Sequence, residues 1–398
     1  MNSDDDASDR HEPARVDPWR DGERGGQRGL ALSLSPVQKI GIAAMPKSNE
    51  TGGRRNFLGQ MTSGASLAVW ASGASAAQAA EPVVPVPKKS RLPREVWIAT
   101  VAQEGLRARN PEQMVERLLA RMESVVPFEP DIVCLPEEFP LANIDMPRPR
   151  LVEVAETPIG KFSRPIAEFA RSHHCYVICP IDTKDDAGRF YNSAVLFDRQ
   201  GQVVGEYRKM HPTVGEMEYG ITPGPVDPPV FQTDFGIIGI QICYDIEWPH
   251  DWRKLRSAGA EIVFFPSAFA GGLMVNTMAW MNKVCVVSST NKDTSKICDI
   301  SGVEVARTNR WNATVCAPIN LEKVFLHTWP GVQRFAAIEA KYGRKVRIQT
   351  HAEEEWSILE SLSPDVKVAD VVKEFGLNSR EEAIRLATTA QDARRPTR

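Results

Sequence analysis

The strongest constraint on this chain is a set of short, almost wholly apolar runs. Asp131-Ile132-Val133-Cys134-Leu135 is one; residues 235–242 and 261–265 are two more. Runs of this length and composition read as strands covered on both faces. Such strands must sit inside layers of helix or further sheet. The stretches between them carry helix signals. Asn110 can cap a helix that Pro111 opens, with Gln113 reaching back to the cap. Met114, Leu118 and Met122 then give it an apolar stripe at spacing four. Further helices are expected at 162–172, Pro249–Ser257 and 273–283. Strands are expected at Glu95–Val101, 175–179, 284–289, 302–306 and 313–319. Residues 191–197 and 203–207 flank Asp198-Arg199-Gln200-Gly201 and read as a hairpin. Strands alternating with helices and hairpins imply a mixed sheet, or two sheets, between helical layers. No repeat at a fixed period is visible.

The first ninety residues do not share this pattern. Residues 1–53 are rich in Asp, Arg, Gly, Ser and Pro, a composition expected to stay disordered. Arg54-Arg55-Asn56-Phe57-Leu58 then matches a twin-arginine export signal. A weakly apolar run follows, and Ala77-Gln78-Ala79 offers a cleavage site. Residues 54–79 are therefore expected to direct export to the periplasm or beyond, with Met45 a candidate true start. Residues 80–92, with three prolines and two lysines, read as a linker. The folded domain is expected at 93–328, and 329–398 as a helical extension, with helices at 365–375 and from Asn378 to about residue 387. Balanced charge, 48 basic against 51 acidic residues, argues against a nucleic-acid partner. No stretch reaches the ~20 apolar residues of a membrane span. Seven cysteines in 398 residues do not make a disulfide scaffold. Cys175 and Cys179 lack a second pair, so no metal site is expected.

Three residues follow strands, two of them apolar and one alternating, in ways that suit chemistry. Glu137 follows Leu135-Pro136, at the end of a buried strand where α/β folds place their sites. Lys209 ends Tyr207-Arg208-Lys209 after the hairpin. Cys243 closes Ile240-Gln241-Ile242 and precedes a turn and helix, the setting of a nucleophile elbow. Alone, Glu137 and Lys209 read as solvated charges and Cys243 as a buried strand cysteine. As an ordered set they resemble the carbon–nitrogen hydrolase, or nitrilase, superfamily. Thr222-Pro223-Gly224, Gly259-Ala260-Glu261-Ile262, Pro266-Ser267-Ala268-Phe269 and Met278-Ala279-Trp280 add to the resemblance.

That resemblance implies a four-layer α-β-β-α sandwich, a homodimer or larger homo-oligomer, and no cofactor. It implies attack by Cys243 on a small-molecule amide. Glu137 would serve as base and then acid, Lys209 and the Tyr244 backbone N–H as oxyanion donors. It also implies a second glutamate beyond the lysine; Glu216 and Glu218 are both available, and Glu218 is preferred. Tyr244-Asp245 after the cysteine resembles the amidase and carbamoylase branches. Glu247, Trp248 and Ser267 are candidate substrate contacts, an acid at 247 favouring neutral or cationic groups. An amidase is the leading expectation. A carbamoyl hydrolase releasing ammonia and carbon dioxide, an acyltransferase and an inactive scaffold stay open.

Overall fold

The computed structural model describes residues 92–396. The expected extension 1–53, the export signal 54–79 and all but the last residue of the linker lie outside the described residues. The first sheet begins with β1 (Glu95–Val101), followed by α1 (Pro111–Met122) and β2 (Ile132–Cys134). A short α2 (Leu151–Val154) and α3 (Ser163–His173) lead to β3 (Tyr176–Lys184), β4 (Phe190–Phe197) and β5 (Val203–Arg208). β1, β2 and β3 run parallel, and β3, β4 and β5 form the antiparallel meander read from the hairpin signal. At the start of α1, the Asn110 side chain accepts the Gln113 N–H at 2.9 Å. The Gln113 side chain reaches back to the N–H of Arg109, one residue before the cap.

The second half runs α4 (Val214–Tyr219), β6 (Val230–Gln232), β7 (Ile237–Ile240), α5 (Pro249–Ser257), β8 (Ile262–Ser267) and α6 (Gly272–Asn282). β9 (Cys285–Thr290), β10 (Lys296–Cys298), β11 (Glu304–Arg307) and β12 (Thr314–Asn320) follow. The second sheet has the order β11-β10-β9-β8-β7-β6, while β12 returns to the first sheet beside β1. Alternate residues of each inner strand face opposite layers, which is why these runs are apolar throughout. Ile98, Ile132, Ile178 and Leu196 of the first sheet meet Ile240, Phe264 and Val287 of the second in one buried cluster. Val133, Val177 and Val195 turn the other way, onto Leu118, Ile166 and Phe169. Val263, Phe265 and Val286 likewise pack on Trp252, Val275 and Ala279. The result is the α-β-β-α sandwich that the resemblance implied.

The extension differs from its expectation. Beyond β13 (Lys323–His327) and α7 (Thr328–Tyr342) it contains β14 (Val346–His351) and β15 (Trp356–Ser361), before α8 (Val368–Glu374) and α9 (Arg380–Asp392). It is therefore mixed rather than helical, with a third sheet ordered β13-β15-β14. The strand β14 gives no apolar run because Arg347, Gln349 and Thr350 face solvent. Ser379, not Asn378, caps α9, accepting the Glu382 N–H at 3.2 Å.

Candidate active site

Loops that follow β2, β5 and β7 converge on one buried spot. Beyond β2, Glu137 is 3% exposed. Its Oε1 accepts from Lys209 Nζ at 2.8 Å and from Asn192 Nδ2 at 2.8 Å. Its Oε2 accepts the Ala268 N–H at 2.7 Å, just past the end of β8. Asn291 Nδ2 holds the Glu137 carbonyl at 3.0 Å. A carboxylate with this many donors has its orientation fixed before any substrate arrives.

Lys209 follows β5 and is 1% exposed. Burial alone would push its ammonium toward the neutral form, but the charges of Glu137, Cys243 and Glu216 outweigh it and hold the pKa well above the ordinary value. The second carboxylate on this ammonium is Glu216, with both oxygens at 2.9 Å. Glu218, preferred from the sequence, is exposed on the same short helix and meets no part of the cluster. The signal for Glu216 was present. Thr213-Val214-Gly215-Glu216 is a capping box, with Thr213 Oγ1 accepting the Glu216 N–H and Glu216 Oε2 accepting the Thr213 N–H. That box points the remaining carboxylate oxygen at Lys209. Burial would raise the Glu216 carboxyl, but Lys209 and the Thr213 cap keep it below its ordinary value. Asn192 also went unread. It sits on β4, and its single amide nitrogen serves both Glu137 and Glu216, the latter at 2.9 Å.

Cys243 begins a 3₁₀ turn, Cys243–Glu247, with φ of 49°. A non-glycine residue in this left-handed region costs about 1–2 kcal/mol, a strain that proteins keep where neighbours over-determine it. Burial pushes the Cys243 thiol well above its ordinary range and the Glu137 charge pushes it further; Lys209 and the Ala268 N–H pull it back. The resting sulfur is therefore a thiol beside a fixed carboxylate, and its proton must leave as it attacks. Cys134, Cys179, Cys285 and Cys298 are buried free thiols.

The remaining predicted residues scatter. The Tyr244 ring is 40% exposed and packs edge-on to Trp248. Trp248 stacks on His211 at 3.9 Å and 5°. The Ser267 hydroxyl is buried and accepts the Phe269 N–H. Glu247 is exposed at the end of the 3₁₀ turn. Glu138 turns away from Glu137, with φ of 43°, toward Arg148 at 2.5 Å and the buried Asp182. Among the described residues no three His, Cys, Asp or Glu side chains are grouped to hold a metal ion. Nor is any described helix long and apolar enough to cross a membrane.

Comparisons with known proteins place this arrangement in a family. The chain is 36% identical over 150 residues to a β-ureidopropionase of Arabidopsis thaliana, covering 36% of each chain. It is 30% identical over 148 residues to a deaminated glutathione amidase of Synechocystis, 35% of this chain and 54% of that one. The match thus spans a third to about a half of these relatives. An amidase from Nesterenkonia shares the fold with a TM-score of 0.51 at 17% identity, covering 64% of this chain and 97% of that one. A Saccharomyces cerevisiae member of branch 10 of the nitrilase superfamily gives 0.51 at 19% identity, covering 64% and 96%. The carbon–nitrogen hydrolase model matches residues 98–325, and the chain belongs to that family.

Proposed function

We propose that the protein hydrolyses a non-peptide carbon–nitrogen bond, in the first instance an amide of a small molecule, through a thioester on Cys243. The observation that carries the reading is the meeting of Glu137, Lys209 and the Cys243 sulfur in one buried cluster. An amide carbonyl is a poor electrophile, so it needs a strong nucleophile and a prepared site for the oxyanion. Glu137 takes the Cys243 proton as sulfur attacks the carbonyl carbon. The carbonyl pair moves onto oxygen, where Lys209 and the Tyr244 N–H receive it. As the tetrahedral species collapses, the C–N bond breaks and the Glu137 proton passes to the departing nitrogen. Glu137 then takes a proton from water as the water oxygen attacks the thioester, and returns that proton to the sulfur as the acid leaves. Glu216 and Asn192 keep the ammonium and the base in place.

The names of the relatives support this chemistry. One solved variant of the Nesterenkonia amidase carries acrylamide added to its active-site cysteine. A carbamoyl substrate is the second reading, favoured by the likeness to the β-ureidopropionase and by a likeness to an N-carbamoylputrescine amidase of Solanum lycopersicum. The same steps on a carbamoyl group yield carbon dioxide besides ammonia. We also propose a homo-oligomer, and export by the twin-arginine signal at 54–79. The test is a panel of simple amides and carbamoyl compounds, reading ammonia and carbon dioxide, for the wild type and Cys243→Ala. Loss of turnover by at least ~10³-fold in a folded Cys243→Ala is expected. Full activity in that variant would refute the assignment.

A further inference from the structure

We propose that Asp245 is the positioning residue that holds the Cys243 elbow in its strained shape and joins it to the segment carrying Lys209. This rests on the reading of Cys243 and Lys209 given above. Asp245 is fully buried. Its Oδ2 accepts the Ile242 N–H at 2.8 Å and the Tyr207 hydroxyl at 2.7 Å. Its Oδ1 accepts the His211 N–H at 2.8 Å. One carboxylate therefore grips the residue before the nucleophile from two positions beyond it, and so brackets the left-handed Cys243. The same carboxylate grips the chain two residues before and two residues after Lys209. Nucleophile and oxyanion donor lie on different sheets, and this side chain is a direct bolt between their strands. Gln241 Nε2 adds to it, donating to the Tyr207 oxygen at 3.1 Å.

Two of the groups on Asp245 are backbone N–H donors and the third is a hydroxyl, so the ionised carboxylate satisfies all three at once. A proton on Oδ1 meets the His211 N–H, and a proton on Oδ2 meets the Ile242 N–H and forces the Tyr207 hydroxyl to turn. The titratable groups facing Asp245 are Tyr207, Lys209 and His211, with Asp251 behind the tyrosine. Burial lifts the Asp245 carboxyl to about 6, while the Tyr207 hydroxyl, the Ile242 and His211 amides and Lys209 hold it down from a higher value. As pH falls through that range the clamp takes up a proton and the elbow loosens. The acid limb of kcat is therefore tied to residues that touch no substrate.

The experiment compares kcat against pH for the wild type, Tyr207→Phe and Asp245→Asn, with Cys243→Ala as the reference. Removing the Tyr207 hydroxyl takes away a donor that favours the charged form, so the acid limb should move up by roughly 0.5–1 pH unit. Asp245→Asn should lose roughly 100-fold in kcat with a smaller change in KM. A merely structural role would lower the melting temperature of Tyr207→Phe and leave its limb in place. That outcome, or an Asp245→Asn enzyme within about threefold of wild-type kcat, overturns the proposal. If Asp245→Asn does not fold, the limb of Tyr207→Phe still decides. An active Cys243→Ala would instead sink the underlying function, which separates the two failures.

Discussion

Glu137 and Glu138 are neighbours in sequence with the same side chain, yet they enter opposite electrostatic settings. Glu137 joins Glu216 around one ammonium, and that group is saturated with donors from Lys209, Asn192, Ala268 and Thr213. Glu138 joins Asp182 around one guanidinium, Arg148, at 2.5 and 3.7 Å. There donors are scarce. Both Asp182 oxygens are buried with no hydrogen-bond partner among the described residues. Each cluster has two acids and one base. The first keeps its Glu216 carboxyl below the ordinary value, whereas burial and the Glu138 charge drive Asp182 well above it. The formal charges are alike, so the deeper burial of Asp182 and its longer reach to the cation, 3.7 Å against 2.9 Å for Glu216, set the two acids apart.

The comparison breaks first at its two neighbours. Glu137→Gln should cost roughly 10³-fold in kcat, within the range for a general base. Glu138→Gln, which keeps a polar partner for Arg148, should cost only a few-fold. The reverse ranking would move the base by one position. Glu137→Gln should have a second, opposite effect. Its charge holds the Cys243 thiol up, so removing it lowers that pKa and enlarges the thiolate fraction. Alkylation of Cys243 by iodoacetamide at pH 9 should then run faster in the variant while hydrolysis is lost. Slower alkylation would mean that the carboxylate acts on the thiol only as a base and its field is negligible.

The next step down tests the two glutamates of α4. Glu216→Gln should lower kcat by roughly 10–100-fold, because it leaves Lys209 with one carboxylate and disturbs the Thr213 cap. Glu218→Gln, at an exposed position, should stay within about twofold of wild type. Equal losses would show that the whole helix, rather than one carboxylate, supports the lysine.

How far the sequence carried depends on the same physics. The inner strands were legible because burial on two faces leaves only apolar residues to choose from. Glu137 and Cys243 were legible because each follows such a strand, whereas Lys209 follows the edge strand β5 and stood out only as part of the ordered set. β6 and β10 are three residues long, too short for any period to show. β14 keeps polar residues outward, and so the extension read as helical when it is mixed. Glu216 was missed for Glu218 because a six-residue helix with a glycine in its first turn has no apolar stripe. Its capping box was the one local clue. Asn192, Asp182 and Asp245 gain their roles from strands remote in sequence, which no local pattern records.

The smallest effect concerns stability rather than turnover. The folded Asp182 binds its proton more tightly than the unfolded chain does. Its contribution to stability is fully present below the unfolded carboxyl value, about 3.9, and is lost as pH rises toward the higher folded value. Asp182→Asn removes that loss. The amide has the same shape, cannot ionise, and supplies N–H donors to the neighbouring Glu138 carboxylate. At pH 8 the variant should be more stable by on the order of 1 kcal/mol, or roughly 2–4 °C in melting temperature for a domain of this size. At pH 5 the difference should shrink, because the wild-type acid is then nearer its protonated form. A variant that melts lower than wild type at pH 8, with an unchanged dependence on pH, would mean that Arg148 already keeps Asp182 ionised. The two acid clusters would then be alike after all.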